Sequence, residues 1–216
     1  MADTKVHTYK SDTMTVHWDQ ARCIHAGACT RGLRAVFDVK KKPWIQPDQA
    51  DDDAIAATVA ACPSGALWAE RANGIQETPP AKNTVRLEVN GPMHLHGNLH
   101  LGEEPAPGAG TRASLCRCGK SRNMPYCDNH HKEAGWKDPA APPAGELATI
   151  EATGPLAIQA FPNGPVQVTG GCEIVDRDGN AVFRGSQTWL CRCGQSSNKP
   201  FCDGSHKAAG FSTEAP

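Results

Sequence analysis

The chain has 216 residues, a formal net charge of −1 and a pI near 6.7, a balance that excludes the basic footprint of a nucleic-acid binder. Leu, Ile, Val and Phe account for only 33 of the 216 residues, while Gly and Pro contribute 21 and 17. A chain so poor in large aliphatics and so rich in turn formers needs disulfides or metals to hold its small modules together, and its ten cysteines are the candidates.

Residues 1–30 carry no basic segment followed by the apolar core of a secretory signal, and no stretch approaches the roughly 20 apolar residues of a membrane helix. The expectation is a cytoplasmic chain with reduced thiols, where clustered cysteines read as metal ligands before disulfides. Met14–Trp18 alternates as a strand that runs into Cys23-Ile24-His25-Ala26-Gly27-Ala28-Cys29. Asp51-Asp52-Asp53 opens a helix with Ile55, Val59 and Cys62 on one face, and Pro63 ends it. Ala66-Leu67-Trp68 then returns as a strand that can pair with the first. The proline-rich segments at 78–81 and 138–145 read as stiff connectors rather than core, and they divide the chain into modules 1–78, 82–138 and 146–216.

The second and third modules are copies. Leu115–Trp136 and Leu190–Phe211 align without a gap and agree at 14 of 22 positions, and Asn90-Gly91-Pro92 is echoed by Asn163-Gly164-Pro165 upstream. Val85–Val89 and Val166–Thr169 alternate as short half-buried strands, and Asp178-Gly179-Asn180 marks a hairpin turn between Ile174-Val175 and Val182-Phe183. Cys172 aligns with Leu99, so it reads as a buried hydrophobe rather than a ligand. His94, His96 and His100 alternate with Leu95, Leu99 and Leu101, the pattern of a solvent-facing strand edge rather than a metal site.

Each copy carries C-x-C-x8-C-x3-H: Cys116, Cys118, Cys127 and His131, then Cys191, Cys193, Cys202 and His206. Three thiolates and an imidazole suit either zinc or an iron–sulfur cluster. Asp128 or Asp203 can N-cap a short helix that carries the His, with the third Cys just before it. Gly119 and Gly194 let the backbone pass close to sulfur.

Cys202-Asp203-Gly204-Ser205-His206, with Cys191-Arg192-Cys193, Ser196 and Pro200 upstream, resembles the CDGSH iron–sulfur domain family. The first copy is similar but departs at Asn129 and His130, with the four ligand positions intact. The resemblance implies a [2Fe–2S] cluster held by three Cys and one His in each copy. It also implies small β-rich units paired about a two-fold axis, here as an intramolecular pseudo-dimer. An imidazole ligand must stay unprotonated, so both centres are expected to become labile as pH falls, and His131→Cys or His206→Cys to suppress this.

The N-terminal pattern resembles divergent single-cluster ferredoxins, with Ala26 at the usual second cysteine position and the tail Cys62-Pro63-Ser64-Gly65-Ala66-Leu67. Three thiolates, Cys23, Cys29 and Cys62, fit a [3Fe–4S] cluster; a [4Fe–4S] cluster needs a fourth ligand, for which His25 is the nearest candidate. The whole reads as an α+β chain of small metal-stabilised modules. It has no visible nucleophile–base set or nucleotide fingerprint, so it is expected to be an electron carrier rather than an enzyme. The alternative is a cluster store, donor or redox/pH sensor. Its expected partner is a redox protein or an apo iron–sulfur acceptor, with no nucleic acid or membrane, and self-association is left open.

Overall fold

A computed structural model describes residues 5–74 and 77–214. The N-terminal module is a three-stranded antiparallel sheet of β1 (Val6–Lys10), β2 (Met14–Asp19) and β3 (Leu67–Arg71), with β2 in the middle. Between β2 and β3 come a short helix α1 (Ala28–Gly32) and the helix α2 (Asp52–Ala60). Asp51 caps α2, its Oδ1 accepting from the Ala54 N–H at 2.8 Å. Ile55 and Val59 then turn inward, and with Met14, Val16, Phe37, Ile45 and Leu67 they make a buried core. The expected strand, helix and return strand are all present. β1 carries no sequence signal, because its half-exposed residues show little apolar alternation.

The two copies do not fold as beads on a string. The first supplies β4 (Thr84–Leu87), β5 (Met93–His96), β6 (Asn98–Leu101), β7 (Glu104–Pro105), β8 (Arg112–Leu115) and helix α3 (His130–Glu133). The second supplies β9 (Pro155–Ala160), β10 (Val166–Val175), β11 (Ala181–Leu190) and helix α4 (Ser205–Ala208). One eight-stranded sheet mixes them: β6 of the first copy runs parallel to β9 of the second, and β4 of the first parallel to β10 of the second. The register is reciprocal. Leu101 faces Ile158 and Ile174 faces Val85, the same repeat positions in each case. Gly97 separates β5 from β6, and Gly170, its counterpart, lies at a register shift within the single long β10.

One core serves both copies, drawing Val85, Leu87, Leu95, Leu99 and Leu115 from the first and Leu156, Ile158, Val168, Ile174 and Leu190 from the second. Cys172 is fully buried in it beside these aliphatics, and burial pushes its thiol up to about 11. Two expectations need correction. The 138–145 segment is not a free connector: Ala140 is buried, the Asn90 N–H donates to the Asp138 carbonyl, and Gly145 donates to Val182. β5 is not an edge strand, since β4 and β8 flank it; His94 instead bonds Ser114 Oγ at 2.7 Å and Glu88 Oε2 at 2.9 Å. Among the described residues no helix is long and apolar enough to cross a membrane.

Candidate metal centres

All ten cysteines are free. Each copy builds its site from a strand end that folds back on itself. After β8 the Cys116 N–H donates to the Pro125 carbonyl and the Cys127 N–H to the Ser114 carbonyl. After β11 Cys191 and Cys202 do the same with Pro200 and Trp189. The x8 spacing is therefore a small antiparallel return. Ser121 Oγ braces it by donating to the Tyr126 carbonyl at 2.6 Å, as Ser196 Oγ does to Phe201 at 2.7 Å.

The return brings the four donors together as two pairs. Cys116 Sγ lies 3.6 Å from Cys118 Sγ, and Cys127 Sγ lies 3.6 Å from His131 Nδ1. The second copy repeats this at 3.6 Å for Cys191 with Cys193 and 3.4 Å for Cys202 with His206 Nδ1. Among the described residues no three Cys, His, Asp or Glu side chains converge on a position for a single ion. Backbone N–H groups of Lys120 and Asn129 point at Cys118 and Cys127 at 3.4 Å, an arrangement that favours thiolate. The hydrogen bond from Cys118 pulls Cys116 down to about 6, whereas burial holds Cys127 up at about 11.

The aspartates do not cap as expected. The helix-entry residues are Asn129 and Gly204, both in left-handed backbone. Asp128 Oδ1 accepts from the His130 N–H, and its Oδ2 accepts from the Arg122 N–H, so it ties the return to the helix start. The glycines also have a different reason. A Cβ on Gly119 would lie 2.6 Å from the Cys193 carbonyl oxygen, and one on Gly194 would lie 2.8 Å from that of Cys118. The two metal-binding loops thus touch each other reciprocally. The middle residue of each C-x-C is a buried arginine. Arg117 donates to the Gly91 carbonyl and Asp138, and Arg192 to the carbonyls of Gly164 and Phe161. The aromatic ring at the end of each copy, Trp136 or Phe211, lies over the guanidinium at 5.1 and 5.8 Å.

In the N-terminal module Cys23, Cys29, Cys62 and His25 line one cavity of about 540 Å³ with Trp18 and Trp44. His25 Nδ1 is 3.8 Å from Cys23 Sγ, in left-handed backbone at φ 51°. The Cys62 N–H donates to the Val59 carbonyl at the end of α2, and Ser64 Oγ lies 3.7 Å from its sulfur.

Sequence reasoning missed the residues that join this module to the first copy. Arg22 forms a fully buried pair with Asp19 and donates to the Gly65 and Pro107 carbonyls at 3.0 Å each. Arg112, buried and paired with Glu77, donates to the carbonyls of Val59, Cys62 and Leu67. Asn123 and Asn129 donate to the carbonyls of Ala21 and Ile24. The available signal was a contrast between copies: Arg112, Ser114 and Asn129 stand where the second copy has Gln187, Trp189 and Gly204.

Comparison with known proteins follows the same division. Residues 9–71 match the family described as "Divergent 4Fe-4S mono-cluster", and residues 90–132 and 163–207 match "Iron-binding zinc finger CDGSH type". Over 67 residues the chain is 37% identical to the uncharacterized protein YjdI of Escherichia coli K12, and equally to that of strain O157:H7. Each alignment covers 31% of this chain and 88% of the relative.

Proposed function

Because this chain belongs to the CDGSH iron–sulfur family, with two tandem copies behind a divergent single-cluster ferredoxin-like domain, we propose that it is a three-centre electron carrier. The observation that carries the reading is the division of each CDGSH ligand set into two pairs. Donors on one tetrahedral ion with metal–sulfur bonds of about 2.3 Å would all lie about 3.8 Å apart. Here the close approaches pair Cys with Cys and Cys with His, and among the described residues no three Cys, His, Asp or Glu side chains are grouped to hold a single ion. That supports two irons per copy, hence a [2Fe–2S] cluster held by Cys116, Cys118, Cys127 and His131, and another by Cys191, Cys193, Cys202 and His206. The reciprocal strand pairing supports reading the copies as an intramolecular pseudo-dimer.

For the N-terminal site we favour a [4Fe–4S] cluster on Cys23, Cys29 and Cys62 with His25 as fourth ligand. His25 stands beside Cys23 at a separation close to the Cys–His separations in the two copies. Such clusters supply one-electron exchange without atom transfer. The protein's part is to shield the centres, hold the buried His131 imidazole neutral and balance cluster charge with buried arginines. The partner is a redox protein of the cytoplasm, and the chain is a carrier rather than a catalyst. Anaerobic iron and sulfide analysis should give about eight of each per chain, and a redox titration followed by electron paramagnetic resonance should resolve two classes of centre. A colourless protein with zinc instead would overturn the proposal. His25→Ala should convert the N-terminal signal to a three-iron type; an unchanged four-iron signal would remove His25 from the ligand set.

A second reading, delivery of a cluster to an apo acceptor, is favoured by one observation: Cys202 and His206 are half-buried where Cys127 and His131 are buried. Mixing the loaded protein with an apo-ferredoxin and following transfer tests it.

A further inference from the structure

The first copy departs from the CDGSH pattern at Asn129, and the departure has a structural use. The Asn129 side chain donates from Nδ2 to the carbonyl of Ile24 at 2.6 Å, between Cys23 and His25 of the N-terminal loop. The Asn129 backbone N–H points at Cys127 Sγ at 3.4 Å. One residue therefore touches a ligand of the first CDGSH site and the peptide that follows a ligand of the N-terminal site. Six residues away, Asn123 Nδ2 donates to the Ala21 carbonyl at 2.8 Å, and the Ile24 side chain is buried. In the second copy the position of Asn129 is Gly204, where an added Cβ would meet nothing within 4 Å. Gly204 faces open space, and the hydrogen bonds described above between the N-terminal module and the CDGSH copies, together with that from Ser114 Oγ to the Pro63 carbonyl, are all made with the first copy.

We infer that Asn129 and Asn123 are positioning residues that clamp the N-terminal cluster loop to the first CDGSH loop, so that the first copy is the internal redox neighbour of the N-terminal centre and the second copy is not. The inference rests on the three-centre reading above. With clusters held by these residues, an electron given up at the N-terminal site would be taken up at the first CDGSH site, with no proton, bond change or third species required. Asn129 acts by fixing the separation and packing of the two loops. The coupling is mutual: whatever tightens one loop through the clamp tightens the other by the same factor.

The test uses the full-length loaded protein. Asn129→Gly gives the first copy the residue that the second already folds with, and Asn123→Ala removes the parallel bond. Losing one such bond should speed chelator-driven iron loss from the N-terminal site about three- to tenfold, with the second CDGSH site unchanged. Hydrogen exchange at residues 21–29 should rise, and spin–spin broadening between the reduced N-terminal and first CDGSH signals should weaken. The mirror variant Gly204→Asn should leave iron loss from the N-terminal site, exchange at residues 21–29 and the broadening as they are in wild type. Equal iron loss, exchange and broadening in wild type and both Asn variants would overturn the inference while leaving three coloured centres in place. A wild-type protein without iron would instead remove the reading beneath it.

Discussion

The two CDGSH copies share their ligand spacing, their loop returns and even their cross-strand register, yet they live in different surroundings. β8 of the first lies beneath the N-terminal module, with Arg112 and Ser114 buried. The matching stretch of β11 presents Gln187 and a Trp189 that is 41% exposed and lies tilted against Phe161 at 5.1 Å. The spacing of the three Cys and the His is local and is the same in both copies, although Asn129 and His130 replace Gly204 and Ser205 between them. The outward face is free to vary, and it determines what each copy can meet.

Four measurements would break or sharpen that contrast. The largest effect is expected from the ligands themselves: Cys118→Ala or Cys193→Ala should each abolish the visible absorbance of its own copy, and retention of both centres would contradict the ligand assignment. Next comes the buried arginine. Arg112→Ala removes the ionic partner of Glu77, leaving it only the Thr111 hydroxyl, and takes the guanidinium donor from the carbonyls of Val59, Cys62 and Leu67, so a melt should show a loss on the order of 3–5 kcal/mol. The third concerns acid. Burial lowers the pKa of His131, which keeps the imidazole neutral, the form that can bind iron, down to lower pH. On acidification the second centre, with the more exposed His206, should bleach severalfold faster than the first, and His206→Cys should cancel the difference. Equal decay of the two centres would mean that burial of the His does not control loss. Smallest is Gln187→Ala, the counterpart of Arg112→Ala, which should move the melt by less than about 0.5 kcal/mol because the Gln187 side chain is exposed.

Much of the site was legible beforehand because its determinants are local. The C-x-C-x8-C-x3-H spacing, the capped helix ahead of Cys62, the return strand at Leu67 and the apolar role of Cys172 all follow from residues close together in sequence. What escaped depends on distant partners. Nothing near Asp138 announces that its carboxylate meets Arg117 or that its backbone pairs with Asn90. Gly119 looked like an accommodation to sulfur, but its neighbour is a carbonyl 74 positions on. Arg22 and Arg112 gave no motif, since their role is to fill a seam between modules. The exchange of strands between copies was equally hidden, because alternation identifies a strand without naming its neighbour.

That exchange has a consequence for ancestry and for truncation. A polypeptide holding a single copy would leave β6 and β4 with unsatisfied edges, and the cheapest remedy is association with an identical molecule. Joining both in one covalent chain makes assembly independent of dilution. It also lifts the requirement that the partners stay identical, so one could specialise inward while its twin kept an open face. Severing the chain near residue 145 should therefore yield two fragments that reassociate, rather than two independent folded domains.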